Sequence, residues 1–89
     1  MKKRKGLFDG YDHGRRVAFH SFNLCVGAVD TPAELFDSLS EMLVPNLEQY
    51  AGYRDRDILP GFDYWQGAYD GVKSILDDVW NDVVDGVTF

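Results

Sequence analysis

Residues 62–85 read FDYWQGAYDGVKSILDDVWNDVVD, the most regular spacing in the chain. Phe62, Trp65, Tyr69, Val72, Leu76, Val79 and Val83 recur at alternating steps of three and four, the period of a single helix face. This spacing predicts a helix over Asp63 to Asp85, about 34 Å long at 1.5 Å per residue. Asp63, three residues before Gln66, is the expected cap at its start, and Gly86 the left-handed residue past its end.

The opposite side of that helix is acidic. On a wheel of 100° per residue with Asp63 at zero, Asp70, Asp77, Asp78, Asp82 and Asp85 fall at about −20, −40, 60, 100 and 40°. The six carboxylates fill an arc of about 140°, almost opposite the apolar stripe, which centres near −150°. Lys73 is the one basic residue in the stretch, so most turns lack an i,i+4 partner for these charges. A solvated charged face is what any amphipathic helix shows, but two details argue for more. Every acid here is aspartate, a poorer helix former than glutamate because its short side chain competes for the backbone. Asp82 and Asp85 also sit in the last turns, where the helix dipole disfavours negative charge by about 0.3–1 kcal/mol each. Carboxylates held roughly 4.5–10 Å apart along a rod overlap the spacing of nucleic-acid phosphates.

Upstream, Thr31-Pro32-Ala33-Glu34 combines an N-cap hydroxyl, a proline at the first helical position and a glutamate at the third. A second helix is predicted from there, burying Leu35, Phe36, Leu39, Met42 and Leu43. Pro45 is expected to break or kink it before Leu47 and Tyr50, and Gly52 to end it. Residues 53–57 alternate in charge without an apolar stripe and lead into Pro60-Gly61, which reads as a surface connection.

Nearer the amino terminus, Phe8, Tyr11, Ala18, Phe22, Cys25 and Val29 share helical spacing, with Arg15 the exception on that face. A first helix over Phe8 to Val29 follows. The competing reading is a strand within Val17 to Val26, because that run is rich in aromatic and branched residues and Gly10 and Gly14 disfavour a helix. The expected fold is therefore all-α, a small antiparallel three-helix bundle; the alternative is α+β, with a strand or hairpin near Val17–Val26 packed on two helices. Gly10-Tyr11-Asp12-His13-Gly14 and Gly67-Ala68-Tyr69-Asp70-Gly71 each place two glycines four apart, on one helix face. The first and last helices are expected to cross there with close backbones. The plainer reading is that Gly6 and Gly10 only mark a frayed start.

At 89 residues the chain holds one domain, and 45% apolar with 15% aromatic residues supplies a core. Residues 1–6 read as a flexible basic tip and 7–89 as the helical domain. Lys2, Lys3, Arg4 and Lys5 supply four of the nine basic residues, so the remainder sets five basic against 15 acidic ones, a body charge of −10. Such a body opposes direct nucleic-acid binding. The lone Cys25 excludes an intrachain disulfide and points to a reducing, cytoplasmic setting. Asp9, Asp12, His13, Arg15 and Arg16 interrupt any signal-peptide core, and no apolar run approaches the roughly 20 residues of a membrane span.

The residues for chemistry are sparse. His13 and His20 are seven apart, about 10.5 Å along a helix, too far to share one metal ion; Asp9 and His13 are the expected side-chain pair. His20 points about 140° away from Cys25, and Cys25 lies on the apolar side, where free cysteine behaves as a core residue. No glycine-rich phosphate loop occurs. Neither enzyme activity, cofactor nor metal is expected.

The profile resembles, in composition and not through any motif, the small acidic proteins with which phages and plasmids occupy the DNA- or RNA-binding groove of a host defence nuclease. That similarity implies a non-catalytic inhibitor of the anti-CRISPR or anti-restriction kind. Its partner would be a protein with a basic surface, such as a nucleic-acid-binding nuclease complex. The expected partner-binding residues are Asp70, Asp77, Asp78, Asp82 and Asp85, with Asp63, Tyr64 and Trp80 at the margins. The alternative is a helical oligomerisation or scaffold module that uses the aromatic stripe and the amino-terminal tip. A homodimer is a further expectation, in which the basic tip of one copy meets the acidic helix of another.

Overall fold

The structure, a computed structural model, describes residues 6–86. The basic tip of Lys2, Lys3, Arg4 and Lys5 lies outside the described residues. Three helices follow one another: α1, Leu7–Val26; α2, Pro32–Asp55; and α3, Phe62–Asp85. No strand occurs among the described residues, and residues 17–26, where a strand was the alternative, are helical throughout.

Local sequence explains most of the boundaries. The Thr31 hydroxyl accepts from the Glu34 backbone N–H at 3.2 Å and Pro32 opens α2, while Gly86, at φ 72°, closes α3 in the left-handed region. Three expectations are corrected. The first helix ends at Val26 rather than Val29, capped by Gly27. Pro45 does not end α2, which runs unbroken past Gly52 to Asp55, so residues 53–55 belong to the helix and not to a connection. Pro45 is exposed and removes only one donor, whereas Leu43 and Tyr50, on either side of it, are both buried against the rest of the bundle. Asp63 makes no cap. The N-cap of α3 is Gly61, at φ 132°, and the Phe62 backbone N–H donates to the Asp57 carboxylate at 2.9 Å.

The helices run up, down and up, so α1 and α3 are parallel, with α2 antiparallel to both. Arg15 reaches Ser74 from α1 to α3, whereas Phe36 meets Trp80 and Arg54 meets Gln66 across α2 and α3. The helix α3 is central, packing closely on both neighbours, while α1 and α2 touch each other least. Leu35, Leu39, Leu43 and Val72 are fully buried in the seam, each contributing about 1.5–3 kcal/mol of apolar burial.

The α1–α3 contact is made by glycine. A Cβ added at Gly10 would land on the Tyr64 carbonyl, and one at Gly14 on the Ala68 carbonyl. From the other side, Cβ atoms at Gly67 and Gly71 would land on the carbonyls of Leu7 and Tyr11. The crossing expected from the two glycine pairs is present, and it brings backbone against backbone.

Candidate functional site

That glycine crossing rotates the buried face of α3. Tyr64, Gly67, Ala68, Gly71, Val72, Ile75, Leu76 and Val79 are its buried residues, centred near 130° on the same wheel, roughly 80° from the apolar stripe read from the sequence. Phe62 is half exposed, and Trp65, Tyr69 and Val83 are only partly covered. Glycine carries no hydropathy signal, so periodicity alone missed the half of the face that α1 covers.

All six aspartates are exposed: Asp63, Asp70, Asp77, Asp78, Asp82 and Asp85. Because the buried face has turned, they form two edges. Asp63, Asp70 and Asp77 line the edge that also bears Lys73 and Trp80. Asp78, Asp82 and Asp85 lie on the side of α1, and Asp78 and Asp82 border a cleft of about 180 Å³ that opens between α1 and α3 beyond the glycine crossing. Arg15, Phe19, Phe22, Ile75 and Val79 complete its walls.

Among the described residues, no aspartate of either edge is in an ion pair; the two ion pairs present are Arg16 with Asp12 and Arg54 with Asp55. Asp70 accepts from the Gln66 amide at 2.9 Å. Neither α1 nor α3 has a basic residue in its last turn, and the two helices are parallel, so their negative dipole ends lie at the end of the bundle that bears Asp82 and Asp85.

Arg15, the charge that breaks the apolar pattern of the first helix, is the one basic residue among the described residues that lines this acidic cleft. Its guanidinium donates to the Ser74 hydroxyl at 2.7 Å and lies 5.8 Å from the centre of the Tyr11 ring. The Ser74 hydroxyl, and after it Arg15, holds the Tyr11 phenol below its ordinary pKa. Ser74 in turn donates to the Gly71 carbonyl at 2.8 Å, tying the arrangement to the glycine crossing.

Tyr64 is not at the margin of the acidic face. It is buried at 9% exposure, and its hydroxyl pairs with Nδ1 of His13, whose Nε2 lies 3.4 Å from the Tyr50 hydroxyl. Trp65 closes over the same cluster, within 6.1 Å of the His13 ring. Burial, then the neighbouring Tyr50, raises the Tyr64 phenol above its ordinary pKa. The expected Asp9–His13 pair is therefore replaced: Asp9 accepts from the Gly6 backbone N–H at 3.3 Å, and His13 turns inward.

Trp80 is 49% exposed, its ring 5.1 Å from that of Phe36. Cys25 is buried, with its thiol 3.2 Å from the Met42 sulfur, an apolar setting of the kind expected for it. No group of three or more His, Cys, Asp or Glu side chains converges as a metal site among the described residues, and none of its helices is long and apolar enough to cross a membrane. No family model, curated protein or solved structure matches the chain.

Proposed function

We propose that this chain is a non-catalytic protein-binding module whose α3 aspartates occupy a basic, nucleic-acid-binding groove of a protein partner. In this reading it is an inhibitor of the phage or mobile-element anti-defence kind. One observation carries it: six exposed aspartates along a single helix, none ion-paired within the described residues, with two of them in the turns where the helix dipole opposes negative charge. Asp78, Asp82 and Asp85 are the core of the surface, with Asp63, Asp70 and Asp77 along its second edge. A partner's lysines and arginines would exchange phosphate oxygens for carboxylates, an interaction dominated by charge and weakened by salt.

The test is a tagged pull-down from host lysate, with proteins identified by mass spectrometry. It compares the natural chain with one carrying asparagine at Asp70, Asp77, Asp78 and Asp82. The expected result is a nucleic-acid-binding protein retained by the first, lost by the second, and released by nucleic acid or salt. Equal capture by both variants would remove the acidic face from the function.

A further inference from the structure

A second surface lies on the other flank of α3. Phe36, Val44 and Leu47 of α2 and Leu76 and Trp80 of α3 line an open apolar groove of about 440 Å³. Val44 and Trp80 are 43% and 49% exposed, so large apolar side chains meet water on both walls. Among the described residues, the only charges on its lining are Lys73 and Asp77, one of each sign. They are four residues apart on α3, yet form no ion pair; lysine placed before aspartate is the less favourable order within a helix.

A groove with one cation and one anion side by side on the same rim is its own electrostatic complement. A two-fold axis crossing α3 between these residues sets Lys73 of each copy against Asp77 of the other, and seats the two apolar linings face to face. We propose that this groove is the interface of a symmetric homodimer, closed by reciprocal Lys73–Asp77 pairs around Trp80. Tryptophan is the residue type that most often dominates such interfaces when its ring is desolvated. The pairing takes up Asp77 of the second edge but leaves Asp78, Asp82 and Asp85 on the α1 side uncovered, so it does not rest on the acidic-face reading.

The two surfaces respond to salt differently. Added salt weakens a carboxylate surface that binds a basic partner, whereas at the dimer it screens the repulsion between copies of formal charge −6 as well as the Lys73–Asp77 pairs, and leaves the apolar contact in place.

Sedimentation equilibrium of the full chain, with circular dichroism to confirm helicity, tests the dimer. The natural chain is expected to approach twice its 10.1 kDa mass with rising concentration. Lys73→Glu and Asp77→Lys each place like charges across the axis and should weaken dimerisation by about tenfold or more, as should Trp80→Ala. Mixing the two charge-reversed chains in equal amounts restores opposite charges at both contacts, and the dimer should return; the Lys73→Glu/Asp77→Lys double variant should dimerise alone. A monomer at every concentration overturns the proposal. So does a dimer indifferent to both reversals, or a mixture that stays monomeric. Asparagine at Asp78, Asp82 and Asp85 leaves the dimer intact while abolishing partner capture, which separates failure of one reading from failure of the other.

Discussion

Gly14 of α1 lies so close to Ala68 of α3 that a single added carbon on the glycine would occupy the Ala68 carbonyl group. Both are fixed in regular helix, so neither backbone moves aside without parting α1 from α3. Taken alone, Gly→Ala inside a helix gains about 1 kcal/mol. Here overpacking reverses the sign: Gly14→Ala and Gly67→Ala should each destabilise by about 2 kcal/mol or more, lowering Tm on the order of 10 °C. Gly27, in open space at φ −79°, is the control, and Gly27→Ala should be neutral or stabilise by roughly 0.4–1 kcal/mol. Thermal melts by circular dichroism decide, and a Gly14→Ala chain more stable than the natural one would refute the backbone contact.

Tyr11 and Tyr64 should titrate on opposite sides of the ordinary phenol value of 10.0. Burial raises Tyr64, so the fold favours its neutral form. That contribution to stability is whole below pH 10 and is lost as pH rises through the higher folded value, because the unfolded phenol ionises first. Tyr11 is lowered by Ser74 and Arg15, so the fold favours its phenolate; its contribution is present above pH 10 and disappears as pH falls through the lower folded value. In an alkaline titration followed by phenolate absorbance, Tyr11→Phe should delete a step below pH 10 and Tyr64→Phe one above it. Ser74→Ala should move the Tyr11 step back up. An unchanged early step in Tyr11→Phe would show that the cluster at the cleft does not act on that phenol.

The three helices were legible because their signals are local. Thr31-Pro32 opens α2 by a hydroxyl and a fixed φ, and Gly86 closes α3 by a left-handed turn, both within four residues. Pro45 does not break α2 because its cost is local while what outweighs it, Leu43 and Tyr50 buried against the bundle, is tertiary. Asp63 misled for the same reason: α3 begins one residue before it, with Gly61 as the N-cap and the Phe62 N–H held by Asp57, placed there by a turn between helices. The acidic residues were identified correctly as exposed, but their division into two edges follows from Gly67 and Gly71, whose effect on burial appears only once α1 is in place. Tyr64 and His13 could not be paired from sequence, being 51 residues apart with no shared pattern.

Asp82 and Asp85 provide the sharpest contrast between stability and binding. They stand at the carboxyl end of α3 with no basic residue in the last turn, beside the parallel end of α1, which also lacks one. Neutralising each should relieve an unfavourable dipole interaction of about 0.3–1 kcal/mol, so Asp82→Asn and Asp85→Asn are expected to raise Tm. The gain should shrink in high salt, because these charges are exposed and screened. The same substitutions should weaken capture of a basic partner, so that the more stable chain is the poorer binder. Melts at low and high salt, run beside the pull-down, measure both quantities on one set of variants. If the asparagine variants melt lower than the natural chain, the carboxylates are stabilising the helix, and the case for a surface kept at a cost to stability fails.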